Sequence, residues 1–279
     1  MAERRSPRTS EIVISLPFVG RWLARNSPAR RVPSHGTDLL GERYAIDFIG
    51  VDHRHRTADR RDWRTFLSTE PVQRFFAFGR PIMAPADGIV VQVHDGELDH
   101  VGRRSQLSLV PYALGQPARL RQGVAAIAGN HLIIALRHSG AYVALVHLRS
   151  GSIRVVVGEK VTAGQLVADC GNSGNSTQPH LHVQVMDSLD LSAARGVPMA
   201  FRRFREWPRG VKHFQIRESD LPGEGAVVEP LPSRGGRGPR RLGEWPPELF
   251  AKSLHGQIGR GRLLQFAQLI GTQPVRGSA

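Results

Sequence analysis

The apolar residues of this chain come in short runs, and turn-forming residues close each run. Gly88 to Val93, His131 to Arg137, Tyr142 to Leu148, Ile153 to Val157, Gln165 to Ala168 and His180 to Met186 are each shorter than an ordinary globular helix and are bounded mostly by Gly, Ser, Asn or Pro. Such runs read as strands. The runs at 131–137 and 142–148 are separated by His138-Ser139-Gly140-Ala141, which has the content of a hairpin turn. Glu11 to Val19 and Tyr44 to Ile49 add strands, and residues 198–217 add one or two more. The predicted class is therefore mostly β: a small antiparallel β-sandwich or open barrel with a groove, carrying peripheral loops.

Some stretches break that rhythm. Residues 52–80 form a charged insertion followed by Phe75, Phe76 and Phe78, and residues 94–128 read as a long, partly helical loop. Residues 222–247 are rich in Pro, Gly and Arg, the composition of a linker or a surface wrap. Leu249, Phe250, Leu254 and Ile258, then Leu263, Phe266 and Ile270, recur at helix-like spacing, although Gly256, Gly259 and Gly261 interrupt it. The predicted organisation is a basic N-terminal segment with the first strand (1–30), a β domain (31–220), and a linker with a C-terminal helical extension (221–279).

Charge narrows the functional classes. The chain carries 38 Lys+Arg against 24 Asp+Glu, a net +14. Residues 1–36 hold 7 basic and 2 acidic groups (+5), 37–199 hold 17 and 15 (+2), and 200–279 hold 14 and 7 (+7). The excess sits at the ends and is almost all arginine, since only Lys160, Lys212 and Lys252 are lysines. GC-rich coding and retention on a polyanion both produce this pattern. Zinc-finger spacing and RNA-binding aromatic motifs are missing from the sequence, so specific nucleic-acid readout is not expected. No apolar run approaches the roughly 20 residues that span a bilayer. The first twenty residues show no secretory signal, and a single cysteine, Cys170, allows no intrachain disulfide. The expected state is a monomer.

The residues that could carry chemistry are histidines and one aspartate. In Pro179-His180-Leu181-His182-Val183, a strand would place His180 and His182 side by side on one face. Asp47 lies inside the apolar run Tyr44-Ala45-Ile46-Asp47-Phe48-Ile49, where an ionised carboxylate is costly unless paired or metal-bound. His147 ends an apolar strand, and His35 sits on a Ser-His-Gly turn. Each has an ordinary structural reading when taken alone. Together, two histidines and an aspartate make a zinc ligand set with one position left for water, and two further histidines could move the protons.

The segments YAIDF, APADGIVVQV, GNHLIIALRHSGAYVALVHL, VGEKVTAGQLVADCGNSGNST and PHLHVQV, in that order, resemble the lysostaphin-type zinc endopeptidases of bacterial cell-wall metabolism. The resemblance spans about residues 31–190. It implies an open-grooved β fold, zinc held by Asp47 and His182, and catalytic roles for His147 and His180. It further implies hydrolysis of peptide bonds in peptidoglycan stem peptides or cross-bridges, at the cell wall or outside the cell. One departure stands out. Many members place the first zinc histidine four residues before the aspartate, and here that position is Arg43. His35 is assigned as the third ligand, with His53 and His55 as alternatives. An incomplete site would instead resemble the family's non-catalytic binding or regulatory members. The turn Val157 to Gly164, with Lys160, also has the look of a lipoyl-type carrier loop, but that reading leaves the histidines unexplained. Cys170, His131 and Asn130 read as structural.

Overall fold

The computed structural model of the chain describes residues 11–105, 124–137 and 139–232. It is mostly β. In chain order the strands are β1 (Ile12–Ser15), β2 (Trp22–Arg25), β3 (Ile46–Gly50), β4 (Pro81–Met83), β5 (Gly88–His94), β6 (Asn130–Leu136), β7 (Tyr142–Leu148), β8 (Lys160–Val161), β9 (Leu166–Asp169), β10 (Leu181–Met186), β11 (Met199–Trp207), β12 (Gln215–Asp220) and β13 (Val227–Pro230). Two short helices accompany them, α1 (Trp63–Leu67) and α2 (Val124–Ala128).

Eleven strands make one open sheet in the order β1-β11-β13-β2-β3-β10-β7-β6-β5-β8, with β12 added on β11, while β4 and β9 pair separately. The sheet is mixed. β1 runs parallel to β11, and the other pairs are antiparallel. Val227 and Val228 are buried in β13, which pairs with β11 and β2. This part of the stretch read as linker is thus sheet, its two apolar residues masked by the surrounding Pro and Gly. The helix-like spacing at 248–271 lies outside the described residues.

The main core lies on one face of the sheet. Phe18 stacks on Trp22 with ring centroids 4.6 Å apart, and Phe48 meets Phe201 edge-on at 5.4 Å. Phe48 is fully buried, so truncating it to Ala would cost about 3–5 kcal/mol. Leu181, Val183 and Val185 of β10 point into this core. The opposite face carries a smaller apolar cluster of Ile133, Ala144, Val146, Met186 and Ala194. β3 and β10 are neighbours in the middle of the sheet, and every residue of both is buried. Strands covered on both faces normally read as unbroken apolar runs. Asp47, His182 and Gln184 break that pattern, and the reason is chemical.

The charged insertion is anchored rather than loose. Asp62 caps α1 with a reciprocal capping box to Thr65. The fully buried Glu70 receives hydrogen bonds from Arg104, and its backbone pairs with Gly102. This fastens the 94–105 segment to the insertion. Among the described residues no helix is long and apolar enough to cross a membrane.

Candidate metal centre

Asp47 on β3 and His182 on β10 are directly opposed in the antiparallel ladder. That register brings His182 Nδ1 to 3.0 Å from Asp47 Oδ1. The His35 turn folds back on the same carboxylate, with Nε2 3.1 Å from Oδ2. His180, two residues before His182, places its Nε2 3.6 Å from Asp47 Oδ1. The same-face reading of the His-x-His pair is what the strand shows.

His147 reaches this face by a different device. Regular alternation would turn it toward the core, with Leu145. A register shift against β6 pairs Asn130 with Leu148 and His131 with Val146, leaving His147 as an extra residue. Its backbone is left-handed, with φ 63°. Bulges of this kind re-aim a side chain, and a non-glycine residue there carries a strain of about 1–3 kcal/mol. The His147 ring thereby joins Val146 in the groove wall, its centroid 4.7 Å from that of His180 and 6.1 Å from that of His182.

Every one of these imidazoles has its other nitrogen occupied. His182 Nε2 donates to Gln184 Oε1 at 3.0 Å, and the Gln184 amide donates in turn to Leu40 O at 2.7 Å. His35 Nδ1 lies 3.0 Å from Ser34 Oγ, which itself bonds to Glu42 O. His147 Nδ1 donates to Ser173 O at 2.9 Å, and His180 Nδ1 donates to Gln178 O at 2.8 Å. These partners orient the rings and aim the second nitrogen of each, with one carboxylate, at a common space, where all four nitrogens are acceptors once His182 gives up the proton that Asp47 favours. Such a collection of acceptors calls for a cation. The ligating atoms of His35, Asp47 and His182 all lie within 4.8 Å of one another. Tetrahedral zinc with bonds near 2.0–2.1 Å separates its ligands by about 3.3 Å. The donor set and its spacing fit zinc.

The electrostatics follow from burial and proximity. Burial alone would raise the Asp47 carboxyl, but the field of His180 and the hydrogen bonds from His182 and His35 outweigh it and hold it well below the usual carboxylate range. Burial pushes His147 well below the usual imidazole value, and the neighbouring His180 and His182 push it further. His180 is lowered mainly by burial. For His182 burial acts downward too, yet the hydrogen bond and charge of Asp47 prevail and raise it to about 9.

Other sequence candidates fall elsewhere. His55 packs edge-on to Trp207 with centroids 5.8 Å apart, and the His53 carbonyl accepts a bond from Arg21. Neither joins the cluster. Arg43 turns away and pairs with Asp38 at 2.6 Å. Cys170 is buried. His131 is also buried, bonded to Gly129 O and Gln92, and it lines the groove. Asn130 spends its side chain on a turn, accepting from the backbone N–H groups of Gly96 and Glu97 and donating to Glu97 O and Leu148 O. Sequence reasoning missed Asn26, whose amide donates to Asp47 Oδ2 at 2.7 Å from a left-handed position just after β2. Only the pairing of Arg25 with Asp47 across β2 and β3 reveals that closeness.

Residues 119–194 match peptidase family M23. The M23 match holds β6 to β10 and so includes His147, His180 and His182. It begins after His35 and Asp47, so Asp47 stands on geometry and on the sequence resemblance, and His35 on geometry. The fold has distant likenesses among solved structures. The catalytic domain of lysostaphin from Staphylococcus simulans is 18% identical with a TM-score of 0.32, over 64% of this chain and 88% of that one. LytU is 20% identical with a TM-score of 0.32, over 70% and 88%. A zinc-containing peptidase from Vibrio cholerae is 21% identical with a TM-score of 0.28, over 50% and 43%. No curated protein sequence matches the chain.

The cluster lies in a cavity of about 520 Å³ whose apolar lining includes Ile127 of α2, Ile133, Ala144, Val146 and Leu191.

Proposed function

We propose that the protein is a zinc-dependent endopeptidase that hydrolyses peptide bonds in peptidoglycan stem peptides or cross-bridges. The observation that carries this reading is the convergence of four oriented imidazoles on one buried carboxylate beside a groove. His35 Nε2, Asp47 and His182 Nδ1 would hold the metal. When bound, zinc lowers the pKa of a coordinated water to about 7 and polarises the scissile carbonyl.

His147 would take a proton at Nε2 and deliver it to the leaving amine. Its burial keeps it neutral, and the bond from Nδ1 to Ser173 O leaves Nε2 unprotonated and ready to accept. His180, fixed by Gln178 O, would accept a hydrogen bond at Nε2 from the attacking water and so orient it. Gln184 and Ser34 would keep the two ligating imidazoles oriented. The position of His35 against Asp47 supports this reading over a non-catalytic module, which Arg43 alone would have suggested. The presence of M23 similarity over the groove-forming strands supports peptide as the substrate class.

The test is direct. Purified protein loaded with zinc is incubated with defined muropeptides, and the products are weighed by mass spectrometry. Peptide fragments with new amino and carboxyl ends are expected, and a chelator should abolish them. Intact muropeptides at one zinc per chain would overturn the catalytic reading.

A further inference from the structure

The groove differs in charge from the rest of the molecule. The chain carries 38 Lys and Arg residues. None of the described residues lining the groove is one of them. Asp47 is committed to the histidines, which leaves Glu42 as the other carboxylate in the lining. Glu42 stands on the turn Leu39–Tyr44, and only its backbone oxygen is engaged, by Ser34 and by the Ala45 N–H. No hydrogen bond or ion pair to its carboxylate occurs among the described residues. The adjacent Arg43 does not neutralise it, because that guanidinium pairs with Asp38 and lies over Tyr44, lining a separate cavity. Glu42 is near enough to the His182 ring to act on its charge.

A half-buried carboxylate in a groove whose described lining holds histidines but no lysine or arginine is suited to receive an ammonium group. Ile133, Ala144 and Val146 offer an apolar surface beside it, and Thr37, Asn175 and Thr177 add neutral polar groups without the full positive charge of a lysine or arginine. We infer that Glu42 is a specificity residue that binds a free amino group of the peptide substrate next to the scissile bond. The amine could be a peptide N-terminus or the side-chain amine of a diamino acid. The inference rests on the peptidase reading and names its substrate class.

The experiment uses the full chain and one peptide of alanine, glycine and lysine in three forms: unmodified, Nα-acetylated and Nε-acetylated. With zinc-loaded protein, acetylation of the recognised amine should raise KM about tenfold, the scale of one charge-assisted hydrogen bond. The acetylated form that loses affinity identifies which amine is read. Glu42→Gln should bring the ratio between the forms close to one, and Glu42→Lys should invert it. Calorimetry on metal-free protein, where no turnover occurs, reads the same preference as binding. If no form is cleaved but the preference persists in calorimetry and vanishes in Glu42→Gln, the peptidase reading fails and the amine site stands. Equal treatment of all three forms by the unmodified protein overturns the inference. So does a loss of zinc affinity in Glu42→Gln, which would assign the carboxylate to the metal.

Discussion

Asp47 and His182 are held by facing strands, whereas the rings of His147, at the end of β7, and His180 are oriented by hydrogen bonds to a loop. The first pair faces across a ladder between two fully buried central strands, so neither can move without breaking the sheet. The second pair leans on residues 173–178 through single backbone acceptors. That loop is in turn clamped by the 94–105 segment: Asp99 accepts from the Asn172 N–H at 2.6 Å, Asn172 donates to His100 O at 2.6 Å, and His100 donates to Gly174 O at 2.7 Å. The half proposed to hold the metal is thus built into the fold, and the half proposed to handle protons is attached to it by replaceable side-chain bonds. The two halves should respond differently to damage.

The largest effect is expected at the strand half. His182→Ala should remove both zinc and hydrolysis, read as metal content by mass spectrometry and as turnover. Retained zinc at one ion per chain would show that the ladder pair is not the ligand core. His147→Ala sharpens the contrast. It should leave zinc in place and cut kcat by about 10²–10⁴, the range for loss of a general acid–base.

The third prediction reaches the clamp from a distance. Glu70 is buried against Arg104 and Arg74, and removing its charge takes away the carboxylate that Arg104 pairs with, while Arg74 keeps Asp62. Glu70→Gln should destabilise the domain by about 3 kcal/mol. Burial alone would raise the Glu70 carboxyl, but the hydrogen bonds and charge of Arg104 override it and lower it. A lowered folded value means that this stability is present above the ordinary carboxylate range and is lost as pH falls through the folded pKa. The variant should therefore show a shallower acid limb in its unfolding midpoint, with unchanged zinc content. An acid limb identical to that of the unmodified protein would show that the cluster does not stabilise the fold.

Much of the strand half was legible in the sequence. The His-x-His spacing dictates a shared face once the run is a strand, and a carboxylate inside YAIDF demands a partner. The loop half was less legible. His147 was recognisable as a histidine at the end of an apolar run, but strict alternation would have sent it into the core. Only the bulge against β6 reverses that, and a bulge depends on how two distant segments register. Asn26, Gln184 and Ser34 gave no local sign, because their partners lie across strand pairs or turns that exist only after folding. Val227 and Val228 were hidden by neighbouring Pro and Gly for the same reason.

By itself the sequence determined the strand-rich class, the alternation of β10 and the identity of the chemistry-bearing side chains. These follow from local periodicity and from the intrinsic acid–base character of each residue. The tertiary structure decided that His35, and not His53 or His55, lies against Asp47, which nitrogen of each ring faces inward, and that Glu42 lines the groove while Arg43 does not. Those outcomes depend on register and on hydrogen-bond partners far apart in the chain. No local pattern encodes them, because their energies arise only when the strands meet.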